Sequence, residues 1–226
     1  KKVEQNLPEH FILYLPRDIV SGDFYWITSI DSRIIFAAAD CTGHGVPGAF
    51  MSMLGVSFLN EIVNRSKRLS AGRILDNLRA NVKETLSQSE EGGTKDGMDI
   101  ALCIYDKTKM TMQYAGAFNP LYLIRRGELT EFKADNMPIG IHIVEETSFK
   151  NNTVKVEEGD CFYIFSDGFQ DQFGGEEGKK FLSRSLKQML TDAHEQPMQK
   201  QKEIIHQTLQ EWMKGYEQVD DIIIMG

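Results

Sequence analysis

An apolar strand that ends in a carboxylate and passes at once into an apolar helix leaves a chain few ways to fold, and residues 33 to 63 are such a stretch. Residues 33–39 read as a β-strand. Asp40, Cys41, Thr42, Gly43, His44 and Gly45 form an acidic, glycine-rich turn, and an apolar helix opens at Pro47. A carboxylate at the end of a buried strand, followed by glycines that let backbone approach a ligand, is a place to hold a metal or a phosphate.

Two chemistries fit this turn. Gly43, Gly45 and Gly48 spell G-x-G-x-x-G between a strand and a helix, the setting of a dinucleotide fingerprint. Against it, Asp40 puts negative charge where a pyrophosphate would lie and Pro47 removes an amide donor. No second parallel strand ending in an acid follows, because residues 64–69 are polar and basic. The other chemistry is a metal site seeded by Asp40, which needs partner carboxylates.

The rest of the chain supplies them. Residues 11–15 form a short apolar strand, Ser21-Gly22-Asp23 turns into an aromatic strand over 24–28, and Asp31-Ser32 makes a tight hairpin into Arg33. That hairpin pairs the start of one strand with the end of the other, so Asp23 and Asp40 are expected side by side on one sheet rim. The helix over 47–63 is apolar nearly all round, which predicts a buried central helix with Gly48, Ser52 and Gly55 as its close-packing face. Ser70 caps a second helix carrying Ile74, Leu75, Leu78, Val82 and Leu86 at helical spacing, and residues 87–97 form a polar, glycine-bearing loop. From Met98 the period becomes that of strands, at 99–105, 110–115, 121–125 and 129–132, then 147–154 and 160–165. The last of these ends in Ser166-Asp167-Gly168. Helices are expected at 177–190 and 198–214, and Asp220-Asp221 leads into a closing strand over 222–225.

Asp23, Asp40, Asp167 and Asp220 thus all stand at strand ends. Four hard oxygen ligands with almost no His or Cys beside them suit Mg²⁺ or Mn²⁺ rather than zinc or copper. Two such ions sharing one carboxylate hold a bridging water, lower its pKa and aim it in line at phosphorus.

Composition narrows the partners. The chain has 226 residues and a formal net charge of −8 with its basic residues scattered, which disfavours nucleic acid and anionic membrane as partners. Cys41, Cys103 and Cys161 lie too far apart for a disulfide framework or a zinc site, and free thiols fit a reducing, cytoplasmic compartment. No apolar run is read as long enough, at about 20 residues, to cross a bilayer. Residues 1–10 are expected to end a linker from an N-terminal regulatory or sensor region, since the chain starts at Lys1, and residues 11–226 to form one domain.

Ser-Gly-Asp-Phe-Tyr-Trp at 21–26, Asp-Cys-Thr-Gly-His-Gly-Val-Pro-Gly-Ala at 40–49, Ser-Asp-Gly at 166–168 and Asp-Asp at 220–221 resemble, in this order, the SpoIIE/RsbU branch of the metal-dependent PPM Ser/Thr phosphatases. The resemblance spans almost the whole chain. It implies an α+β fold, a four-layer α-β-β-α sandwich of two antiparallel sheets flanked by helices. It implies two Mn²⁺ or Mg²⁺ ions, with Asp40 bridging both, Asp167 and Asp220 completing one, and Asp23 with the Cys41 backbone carbonyl completing the other. Asp40 and Asp167 would act through the metal-bound water. Eukaryotic members carry a His two residues after the bridging aspartate. Here Thr42 holds that place, so His44 is weighed as a general acid against a structural or phosphate-orienting role, which is favoured. The substrate-phosphate group is left unassigned: Arg17 is the one stand-in, with a solvated Arg preferred. Asp99 is a candidate ligand for a third ion, with a strand-start turn residue preferred. Ile223 replaces a Thr usual near the last aspartate.

The resemblance also implies a substrate, phosphoserine or phosphothreonine on a STAS-domain anti-sigma-factor antagonist in bacterial partner switching. It implies a sensor domain upstream in the same chain and a homodimer formed through the preceding segment. The helix over 47–63, attached to Asp40, would carry a regulatory signal by shifting the turn. The alternative, which the departures at Thr42 and Arg17 keep open, is a catalytically silent docking module of the same fold.

Overall fold

Alternation along the strands is what stacks this molecule. The computed structural model describes residues 7, 9–43, 45–66, 69–86, 96–142 and 147–226. One antiparallel sheet holds β2 (Phe24–Ile30), β3 (Arg33–Cys41), β4 (Met98–Asp106), β5 (Thr111–Ala117) and β8 (Asn152–Lys155), side by side in that order. The other holds β1 (Ile12–Leu15), β12 (Ile222–Met225), β9 (Cys161–Phe165), β6 (Leu121–Arg125) and β7 (Glu128–Phe132), also in that order and antiparallel. Successive side chains leave a strand on opposite faces. Ala37 and Ala39 therefore face one apolar cluster while Ala38 faces another, and Ile222 and Ile224 part from Ile223 in the same way.

Three apolar layers result, and they define the sandwich. Between the sheets lie Ala38, Ala101, Cys103, Tyr114, Leu121, Ile164 and Ile223. Outside the first sheet, α1 (Gly45–Arg65) and α2 (Ala71–Thr85) bring Met51, Leu59, Ile62, Ile74, Leu75 and Leu78 onto Trp26, Ile35 and Leu102. Outside the second, α4 (Leu182–Ala193) and α5 (Met198–Trp212) bring Leu186, Leu190, Ile205 and Leu209 onto Tyr122, Tyr163 and Ile224. Ser70 caps α2 as its side chain predicts, accepting from the Arg73 amide at 3.4 Å.

Several expectations are corrected. The helix expected over 177–190 begins at Leu182. Before it come the short α3 (Gly168–Asp171) and a two-stranded hairpin, β10 (Phe173–Gly174) and β11 (Lys179–Lys180). The cause is glycine: Gly175 and Gly178 sit at φ 68° and 59°, and a Cβ on Gly174 would come within 2.0 Å of the Trp212 carbonyl oxygen. The strand expected over 147–154 shrinks to Asn152–Lys155. The helix predicted as buried all round is buried on one side alone, and Val46, Phe50 and Met53 are 61%, 64% and 69% exposed. That helix, at 21 residues with a mean hydropathy of 1.4, is also long and apolar enough to cross a membrane by length and composition, contrary to the expectation that no run would be. Its inner face packs on the sheet through Met51, Gly55, Leu59 and Ile62. Most of the loop expected over 87–97 lies outside the described residues.

Candidate functional site

Antiparallel pairing is what gathers the carboxylates. The start of β2, the end of β3 and the start of β4 share one rim, because Phe24 pairs with Ala39 and Asp40 pairs with Asp99. Asp23, one residue before β2, therefore stands beside Asp40. In the facing sheet β9 ends two residues before Asp167, β12 begins two residues after Asp220, and Phe165 pairs with Ile224. With the sheets face to face, both rims meet at a cleft of about 230 Å³ lined by Asp40, Cys41, Thr42, Gly43, Asp99, Asp167 and Asp220. Among the described residues no cationic side chain lines it. A larger groove of about 1160 Å³ opens at the opposite end of β9, where Arg125 is held by Asp160 at 2.7 Å.

The uncompensated charge is visible in proton affinity. Burial, then the charges of Asp23 and Asp167, push Asp40 up to about 10. Burial, then Asp221 and Asp220, push Asp23 up to about 8 against the opposing hydrogen bond from Ser166. Burial and the charge of Asp167 push Asp99 up to about 7. Asp167 is raised as well, again chiefly by burial. The carboxyls of Asp23 and Asp167 thus each act on the proton affinity of Asp40, which places the three in one electrostatic field. One oxygen of Asp23, Oδ2, is buried without a hydrogen-bond partner. A divalent cation would satisfy each of these groups, since it favours their ionised form and accepts hard oxygen donors. Among the described residues no three such side chains stand close enough to clasp one ion as they are.

The turn itself is held by backbone contact. A Cβ on Gly22 would lie 2.4 Å from the Gly43 carbonyl oxygen, and one on Gly48 only 2.2 Å from the same atom. Glycine is thus required at both places so that the loop before β2, the turn after Asp40 and the first turn of α1 can touch. Ser52 Oγ, one turn along α1, donates to the Gly22 carbonyl. Thr42 closes the far side, its amide donating to the Gly97 carbonyl at 2.9 Å and its hydroxyl accepting from the Gly97 amide at 3.1 Å. Burial pushes the Cys41 thiol up, so the thiol stays protonated and faces the core.

Two residues that sequence reasoning did not single out hold the acidic groups in place. Asp221, 2% exposed, accepts from the Arg17 amide at 2.7 Å and the Gly22 amide at 2.8 Å, which staples the loop before Asp23 to the strand that carries Asp220. Ser166 accepts from the Ile223 amide at 3.0 Å, tying the end of β9 to β12, and it opposes the rise in the proton affinity of Asp23. Their one sequence signal was adjacency to Asp220 and Asp167. Arg17 is exposed and its guanidinium donates to the Val219 carbonyl at 2.9 Å, so it stands at the rim beside Asp220. Asp99 lines the cleft, where the preferred expectation had it as a turn residue. His44 lies outside the described residues.

Comparison with known proteins agrees with this geometry. The family model described as "Stage II sporulation protein E (SpoIIE)" matches residues 30–226. The SiaA-PP2C domain of Pseudomonas aeruginosa superposes with a TM-score of 0.89 at 34% identity, over 99% of this chain and 87% of that one. The RsbU and RsbW domains of a Mycobacterium tuberculosis protein give 0.75 at 17% identity, over 96% of this chain and 59% of that one. RsbX, solved in complex with magnesium, gives 0.65 at 14% identity, over 96% and 92%. No curated protein matches the chain. A two-sheet sandwich with its acidic rim between the sheets, a family model covering most of the sequence and a PP2C domain at one-third identity lead to one assignment: the chain belongs to the SpoIIE family, in the SpoIIE/RsbU branch of the PPM phosphatases.

Proposed function

We propose that this domain removes phosphate from phosphoserine or phosphothreonine on a regulatory protein, in a hydrolysis that depends on two Mn²⁺ or Mg²⁺ ions. The observation that carries the reading is the acidic cleft, without a cationic side chain among the described residues, where burial and mutual charge drive Asp40, Asp99 and Asp167, with Asp23 beside them, towards protonation. Asp40 would be shared between the ions, Asp167 and Asp220 would hold one, and Asp23 with the Cys41 backbone carbonyl the other, while Asp99 would be a ligand for a third. When bound, such ions lower the pKa of a coordinated water and stabilise charge on a phosphoryl group. The chain's part is positioning. Asp221 fixes the backbone at Gly22 and Asp23, and the contact among Gly22, Gly43 and Gly48 fixes the turn behind Asp40.

A STAS-domain antagonist fits as the substrate, in keeping with a structural neighbour that carries an RsbW domain beside its RsbU domain. In this reading the domain acts in the cytoplasm, as a homodimer behind an upstream sensor, and Asp40 and Asp167 are its catalytic carboxylates. A silent docking module is the second reading, and one observation favours it: no three ligand side chains are pre-gathered among the described residues. The two part in one experiment. Hydrolysis of p-nitrophenyl phosphate and of a phosphoserine STAS protein is measured with Mn²⁺, with Mg²⁺ and with chelator, for wild type, Asp40→Asn and Asp167→Asn. Metal-dependent turnover that both substitutions abolish is expected. Wild-type protein that neither turns over nor binds Mn²⁺ by calorimetry would sink the enzyme and leave the docking module.

A further inference from the structure

We propose that the apolar start of α1, with the loop beside it, is the docking surface for the phosphoprotein. It would seat an apolar patch on the folded protein that carries the phosphoserine or phosphothreonine. This rests on the phosphatase reading of the cleft and adds the surface by which the cleft would select a protein. Three observations carry it.

First, the outer face of α1 is apolar only at its cleft end. Val46, Phe50, Met53, Ser57, Asn60 and Asn64 form one exposed stripe, spaced alternately four and three residues apart. Its first half is apolar and its second half polar, so the apolar part covers only about 10 Å of helix. The four most exposed large apolar side chains among the described residues, Ile19, Met53, Phe50 and Val46, all belong to α1 or to the loop beside it. Single exposed apolar residues are ordinary, whereas a contiguous group marks a binding surface.

Second, this group is joined to the cleft. Thr42 and Gly43 line the cleft, and α1 begins two residues after Gly43. The loop before Asp23 runs along the first turns of the helix. Asp18 Oδ2 lies 3.8 Å from where a Cβ on Gly45 would stand, and Ser52 Oγ donates to the Ser21 carbonyl at 3.3 Å. Ile19 and Val20 lie between those two contacts, and the Arg17 amide, bonded to Asp221, ties the same loop to the rim.

Third, charge and position select the substrate as occupant. The chain carries a net charge of −8 and its cleft is acidic, so an anionic phosphoprotein is repelled where it meets carboxylates. No residue from Gly45 to Asn60 is charged, which leaves Asp18 as the carboxylate at the border of the patch. Apolar burial there supplies affinity without that repulsion. A second copy of the chain seated on Val46 and Phe50 would crowd the mouth of the cleft and oppose turnover. The N-terminal residues enter elsewhere: Phe11 bonds to Gly226, at the end of β12 away from Asp220.

The test is steady-state hydrolysis by Mn²⁺-loaded protein of p-nitrophenyl phosphate, a phosphoserine STAS protein and a short phosphoserine peptide cut from it. Wild type, Phe50→Ser, Phe50→Leu, Met53→Ser and Ser57→Ala are compared, and sedimentation reads the mass of each. Phe50→Ser is expected to raise KM for the STAS protein about tenfold, the change that uncovering one large apolar side chain gives, with kcat at the wild-type value. Its constants for the peptide and for p-nitrophenyl phosphate stay at wild type. Met53→Ser acts in the same direction, Phe50→Leu restores binding, and Ser57→Ala leaves it unchanged. An unchanged KM in Phe50→Ser, or wild type that turns over the STAS protein no better than the peptide, overturns this inference alone. Equal losses on all three substrates overturn it in favour of a structural role for Phe50, and a wild-type dimer that Phe50→Ser dissociates overturns it in favour of contact between copies. Wild type that hydrolyses none of the three overturns the phosphatase reading and this with it.

Discussion

Both halves of the sandwich deliver carboxylates to one rim, but they hold them by different means. In the half built from β2, β3 and β4, the Asp40 turn runs straight into α1 and is pressed by backbone contact against Gly22 and Gly48. The outer face of α1 is left bare at Val46, Phe50 and Met53. In the half built from β9 and β12, the acidic residues hang on the strand ladder, on Ser166 and on Gly168, whose Cβ would meet the Asp221 carbonyl oxygen at 2.0 Å. There α4 and α5 pack through fully buried Leu186, Leu190, Ile205 and Leu209, away from the rim. In the first half helix position and site geometry are one variable. In the second they are separable.

The largest loss of stability is expected where they are separable. Leu190 is fully buried between α4 and the sheet, so Leu190→Ala should cost about 2 to 5 kcal/mol in urea unfolding. Turnover per folded molecule should stay at the wild-type value well below the unfolding midpoint. A parallel fall in turnover would break the distinction. Gly48→Ala tests the other half. Its new Cβ would meet the Gly43 oxygen at 2.2 Å and Gly22 Cα at 2.8 Å, both backbone atoms that cannot swing aside. Overpacking of this kind costs about 1 to 3 kcal/mol. Relief by shifting the turn moves Asp40, and a displacement near an ångström costs roughly a hundredfold in turnover. Unfolding and p-nitrophenyl phosphate hydrolysis measured on the same sample check both, and lost stability with full activity would refute the coupling.

The four aspartates were legible in the sequence because each sits at a local boundary, an apolar strand giving way to Gly, Ser or a turn. What pairing brings together was less so. Asp99 enters the cleft because β4 pairs with β3 in a register that sets it opposite Asp40, and nothing near Met98 encodes that register. Asp221 and Ser166 work through partners 199 and 57 residues away, and the hairpin of β10 and β11 is pinned to Trp212. The hairpin itself was misread as helix because Glu177 and Lys180 favour helices, whereas Gly174, Gly175 and Gly178 carried the contrary sign. Composition gave α1 its apolar character but could not say which face another element covers.

Proton linkage gives a graded effect on the metal-free protein. Asp99, Asp23 and Asp40 take up protons at about 7, 8 and 10 in the fold, far above the ordinary carboxylate value. Between pH 4 and those values the folded state holds protons that the unfolded chain has released, so stability falls as pH rises through this window. Below about pH 4 both states are protonated and the contribution is flat. The melting temperature of chelator-treated protein should therefore drop from pH 5 to pH 8, and Mn²⁺ should raise it most at pH 8. A metal-free melting temperature that ignores pH in this range would separate these carboxylates from the stability of the rim.

The smallest effect is expected on the bare face of α1. Phe50 is 64% exposed, so its ring gives up little contact when removed, and Ser at a solvent-facing helical position costs only the modest propensity difference, about half a kcal/mol. Phe50→Ser should accordingly unfold within about 0.5 kcal/mol of wild type and hydrolyse p-nitrophenyl phosphate at the wild-type rate, since Met51, Gly55 and Leu59 on the opposite side still seat the helix. A loss above about 1 kcal/mol would show that Phe50 is covered in solution, for surface changes away from contacts rarely reach that size. In that event α1 would be packed on both sides like α4 and α5, and Gly48→Ala and Leu190→Ala should then differ in degree rather than in kind.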